Sequence, residues 1–147
     1  MFEKTLVLLM IFPLTIAALA VNITVHEGAH YAVAEFFGYQ SELHFNNTVV
    51  KNYGFLLNGE PIAYTKFTGP NILPRREALI ATAGPLANLI MALLALAAYV
   101  RKRNNSYISQ LFFLAFFLTA LVSFASNIIP YEFSDGKTIL DALRTTI

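Results

Sequence analysis

The sequence contains no cysteine. Disulfides and thiolate zinc sites are therefore excluded, and any bound metal must be held by histidine and carboxylate. Charge is scarce as well: charged residues make up 13% of the chain against 56% hydrophobic, and the formal net charge is +1. That balance is too apolar for an ordinary soluble domain. No basic tract is long enough to make nucleic acid a partner. Internal repeats, low-complexity linkers and a break in composition are all missing, which predicts a single domain over residues 1–147.

What the chain does have is three apolar segments, at about residues 6–37, 78–100 and 107–129. Each is long enough to cross a bilayer with a hydrocarbon core about 30 Å thick. Residues 39–76 change character between the first and second. Tyr53–Leu57 and Ile62–Phe67 flank Asn58-Gly59, the pattern of a β-hairpin, with an earlier strand at Glu42–Phe45 or Thr48–Lys51. This β-loop, about residues 42–67, either lies against the membrane surface or simply connects two helices. The expected fold is an all-α membrane protein, a three-helix transmembrane core with a small β-hairpin inserted between helices one and two.

Arg101–Asn105 is a short polar turn, so helices two and three should run antiparallel. Pro130 lacks a backbone donor and disfavours helix before it, so helix three should stop there. Lys137–Ile147 is too short to span again and reads as an amphipathic helix. Residues 1–20 resemble a secretory signal, with Lys4, an apolar Leu6–Ala17 and small residues at Ala18-Leu19-Ala20. The apolar pattern nevertheless runs on almost uninterrupted to Gly38, which favours a retained helix.

Near the end of that first segment stands His26-Glu27-Gly28-Ala29-His30. Residues four apart share a helix face, so His26 and His30 can grip one metal ion from the same side. Glu27 lies close enough to reach a water on that ion. Two imidazoles and a carboxylate base in H-E-x-x-H spacing is the arrangement of zinc peptidases. Ionisable side chains within an apolar span are costly and point to function.

The other polar exceptions fall at the same depth. Gly84 and Asn88 lie in the first half of helix two, and Asn127 to Asp135 lie where helix three ends. Ala83, Gly84 and Ala87 let another helix approach closely, and Asn88 can hydrogen-bond across that contact; packing alone explains these residues as well as catalysis does. Two residues compete for the third ligand position. Asp135 is preferred over His44, because a two-histidine, one-carboxylate set with an open position suits catalytic zinc, whereas a solitary histidine in a strand-like loop is usually a surface residue.

Three motifs stand in order on the three segments: His26 to His30, Gly84-Pro85-Leu86-Ala87-Asn88, and Asn127-Ile128-Ile129-Pro130 leading to Asp135-Gly136. Together they resemble the site-2 protease family of intramembrane zinc metalloproteases. The resemblance implies one zinc ion on His26, His30 and Asp135, with Glu27 as catalytic base. It also implies Asn127 as a polar group of the active site and a β-loop that helps present substrate. Two positions depart from the family pattern: Ser134 stands where many members have leucine, and Gly28 takes the first variable position of H-E-x-x-H.

The expected activity is hydrolysis of peptide bonds in or near transmembrane segments, with single-span membrane proteins as substrates and the lipid bilayer as surroundings. An adaptor or a second copy of the chain is left open. A catalytically silent scaffold of the same fold is the alternative, and a metal-ion transporter a further one. A transporter would spread polar residues through the full membrane depth, whereas here they cluster at one level. A multi-pass protein of the cell membrane is expected, with the loop side cytoplasmic; arginine density at Arg101–Arg103 argues for the opposite orientation.

Overall fold

The structure, a computed structural model, describes residues 2–47, 61–101 and 107–145. Helix α1 spans Phe2–Phe36, strands β1 and β2 span Gln40–Phe45 and Ala63–Thr68, and helix α2 spans Pro74–Arg101. Helices α3, Tyr107–Ile128, and α4, Asp135–Arg144, complete the chain. Leu9–Phe36, Pro74–Arg101 and Tyr107–Ile128 are each long and apolar enough to cross a membrane.

The interior is built mostly from alanine. Among the described residues the buried apolar side chains are alanines apart from Tyr39, Ile80 and Pro85, while Phe12, Leu94 and Val122 are among the large residues turned outward. Lipid tails are as apolar as leucine, so burying large side chains gains little there. Helices associate instead where small residues let their backbones approach. Asn22, fully buried, donates to Thr119 Oγ1 at 2.9 Å and so joins α1 to α3. Such bonds contribute about 0.6 kcal/mol on average in a membrane, which makes Asn22 a locator more than a source of stability.

Helix α1 ends as its sequence dictates. Gly38 has φ +79°, Gly38 N donates to Glu35 O, and Tyr39 N donates to Ala34 O. That is a Schellman stop, in which glycine takes the left-handed conformation without a Cβ penalty. The reversal lays Tyr39 against Ala34 and Ile80, with Phe67 packed on that cluster, and so fixes the sheet to the helix end. β1 and β2 pair antiparallel, with Gln40 opposite Thr68 and Phe45 opposite Ala63.

The expected strand at Ile62–Phe67 is therefore β2, offset by one residue, and among the described residues it pairs with the earlier segment around Glu42–Phe45. Thr48–Lys51, Tyr53–Leu57 and the Asn58-Gly59 turn lie outside the described residues. Helix α2 begins at Pro74, four residues before the apolar segment. Proline is well suited to a first helical position, where its missing N–H costs nothing.

Candidate metal centre

One turn of α1 supplies two imidazoles. His26 and His30 are buried, and their Nε2 atoms lie 3.1 Å apart. Asp135, at the start of α4, completes the group. Its Oδ2 is 3.0 Å from His26 Nε2 and its Oδ1 is 3.3 Å from His30 Nε2.

Helix α2 holds the far side of both rings. His30 Nδ1 donates to Ile80 O at 2.6 Å, and His26 Nδ1 faces the Asn88 amide at 2.9 Å. Pro85, on the same helix, has no N–H to donate to the Ala81 carbonyl. Gly84 lies directly beneath the rings. A Cβ there would collide with His30 Nε2 and sit 2.6 Å from His26 Cε1 and Nε2. Two members of the Gly-Pro-x-x-Asn pattern thus have a local logic: glycine makes room for the rings, and asparagine orients one of them.

The tautomers follow from these contacts. Nδ1 of His30 carries the proton it donates, so neutral His30 presents an Nε2 lone pair to Asp135 and His26. Asn88 Oδ1 is buried and, among the described residues, has no hydrogen-bond partner. A half-turn of the amide places Oδ1 on His26 Nδ1 and satisfies both atoms. His26 then presents a lone pair at Nε2 as well. Asn88→Ala is expected to weaken zinc binding about 10- to 100-fold, whereas Asn88→Asp, which can only accept, should keep it near the original. Competition against a chromophoric chelator in detergent measures both.

Asp135 is positioned by the cap of its own helix. Ser134 Oγ accepts from Lys137 N at 3.2 Å and from Tyr131 N at 2.9 Å, while donating to Tyr131 O. A serine N-cap is typically worth about 1 kcal/mol, so the departure at position 134 anchors the helix that bears the ligand. Gly136 packs against the end of α3, where a Cβ would strike Ile128 O. Asp135 Oδ2 is buried and, among the described residues, has no hydrogen-bond partner, and aspartate carboxyls ordinarily ionise well below neutral pH. Asp135 is thus an anion at neutral pH, as a ligand for a divalent cation must be.

The donor set suits zinc. Three donors on a tetrahedral ion with bonds near 2.0–2.1 Å would be separated by about 3.3 Å, close to the spacings given above. All three ligand atoms lie within 4.8 Å of one another. Glycine beneath the rings and buried partners behind both imidazoles fit a site assembled for a cation.

Around this group opens a cavity of about 390 Å³. Glu27 lines it beside the two histidines, and Asn127 lines it from α3. Glu27 is buried, and its Oε2 accepts from Thr65 Oγ1 of β2 at 2.9 Å. Asn127 Nδ2 donates to Ser123 O at 2.9 Å, which leaves its second N–H available. His44 is elsewhere, 3.2 Å from Glu42 and stacked on Tyr64. Asn88, Ser134 and Thr65 carry contacts to the site that their sequence contexts conceal, since each also reads as an ordinary packing, capping or strand residue.

Residues 14–103 match the sequence model of the family described as peptidase family M50. The matched stretch takes in His26, Glu27, His30, Gly84 and Asn88 and ends before Asn127 and Asp135. No curated protein and no solved structure matches the chain.

Proposed function

This chain belongs to peptidase family M50, and from that premise we propose that it is an intramembrane zinc endopeptidase. It would hydrolyse peptide bonds in or near the transmembrane segments of single-span proteins in the cell membrane. The observation that carries the reading is the convergence of His26, His30 and Asp135 beside Glu27, in a cavity bordered by strand β2.

His26, His30 and Asp135 would hold the ion. Zinc, when bound, supplies Lewis acidity that lowers the pKa of water toward about 7 and polarises a carbonyl. Glu27 accepts the proton of the attacking water and passes it to the departing amine. Asn127 turns its second N–H toward the developing oxyanion. Burial of the site excludes bulk water from these groups, which strengthens each electrostatic contact.

A helical substrate hides its carbonyls in internal hydrogen bonds and must unwind before attack. Strand β2 borders the cavity, and strand addition along it would replace the bonds lost by an unwound segment. Incubating the purified, zinc-loaded protein with a panel of single-span peptides, with and without a chelator, tests the reading. Cleavage that stops with chelator and returns with zinc is expected. A folded, zinc-loaded protein that cuts none of them, or cuts regardless of chelator, overturns it.

A further inference from the structure

Strand β2 does more than border the cavity. Alternate residues of a strand face opposite ways, and in β2 Ala63, Thr65 and Phe67 are the more buried set while Tyr64, Lys66 and Thr68 are exposed. Ala63 and Phe67 are apolar; Thr65 is the polar member of that inward row. Its Oγ1 lies 2.9 Å from Glu27 Oε2 and also 2.9 Å from the Glu27 backbone oxygen. One hydroxyl proton thus bridges the strand and the side chain next to the first histidine.

We infer that Thr65 is a positioning residue: its hydroxyl holds one oxygen of the Glu27 carboxylate on strand β2, which aims the other oxygen at the water. This rests on the reading of Glu27 as the base. A glutamate has three side-chain torsions, and a carboxylate without an anchor would populate several directions within the cavity. Anchoring it selects one, which lowers the entropy to be lost in reaching the transition state. The anchor belongs to the strand that would receive the substrate, so the base and the scissile bond are referred to the same piece of backbone.

The threonine could instead serve only to dock the sheet on the helix, and kinetics separate the two roles. Thr65→Val keeps the shape and β-branching but removes the hydroxyl; Thr65→Ser keeps the hydroxyl. With a single-span reporter, Thr65→Val is expected to lower kcat by about 10- to 100-fold, the effect of a misplaced reacting group. KM should stay within about twofold, because the lost contact acts in the transition state and not in binding. Thr65→Ser should recover most of the loss. Zinc content should be unchanged in both.

A binding measurement free of turnover completes the test. In a Glu27→Gln background, adding Thr65→Val should leave the affinity for the uncut reporter within about twofold. An unaltered kcat in Thr65→Val, a rise in KM or Kd in place of the fall in kcat, or no recovery by Thr65→Ser overturns the inference. If Thr65→Val does not retain zinc, Thr65→Ala takes its place under the same criteria. A zinc-loaded wild-type protein that cuts nothing removes the functional reading and this inference together, whereas wild-type cleavage matched by Thr65→Val removes the inference alone.

Discussion

Replacing Glu27 by glutamine is expected to slow cleavage of a single-span reporter by about 10²- to 10⁴-fold, the range set by a positioned general acid–base. The zinc content should not change. Glutamine has the same shape, and its amide oxygen can still accept from Thr65 Oγ1, so the contact with β2 survives. What disappears is an oxygen basic enough to take a proton. The group suited to hold the ion is His26, His30 and Asp135, and Glu27 is not in it. Elemental analysis and reporter kinetics on the same preparation check both halves. A variant that cuts like the wild type would disqualify Glu27 as the base; one that loses zinc would make it part of the metal's support.

The second large effect is expected from a single methyl group. Gly84→Ala would place a Cβ against His30 Nε2 and within 2.6 Å of two atoms of the His26 ring. Neither ring can retreat freely, because His30 is tied to Ile80 O and His26 to Asn88, both on the helix that bears the intruding methyl. Overpacking of this kind typically costs about 1–3 kcal/mol. Because it strikes the ligands themselves, zinc affinity should fall by at least about 100-fold, the upper end for changes that merely touch a ligand's supports. Stoichiometric zinc and all cleavage should be lost while helical circular dichroism remains. Gly28→Ala is the matched control. A Cβ there meets nothing within 4 Å, so zinc should stay, and the helix should gain about 0.5–1 kcal/mol from reduced backbone freedom. Equal zinc in the two variants would show that the space beneath the rings is not what assembles the site.

The long elements were legible because their signals are long. Three apolar runs and a proline stop at Pro130 are enough to lay out α1, α2 and α3; the turn expected at Arg101–Asn105 lies largely outside the described residues. The pair His26 and His30 was legible because a helix converts a spacing of four into a shared face. Strand pairing was less so. A hairpin turn at Asn58-Gly59 is a local signal, whereas the pairing of Gln40–Phe45 with Ala63–Thr68 depends on where the Schellman stop at Gly38 sends the chain, which pattern alone does not encode.

The supporting contacts were the least legible of all. Thr65 in Ala63–Thr68 is what any strand might carry, and Ser134 before Asp135 resembles a turn residue. Asn88 stood out as polar in an apolar helix, but its partner is 62 positions away in sequence. Such residues acquire meaning only when a second element is laid against them. Asn22 had the same signal as Asn88 and sits one helical turn before His26, yet its partner is Thr119 on α3.

The ligands come from widely separated parts of the chain, two from the first helix and one from the last. The chain is made from its N-terminus, so both imidazoles are synthesised before the aspartate, by about 5–20 s at about 5–20 residues per second. A complete donor set therefore exists only once α4 has been made, and no shorter N-terminal stretch of the chain can offer the ion all three ligands.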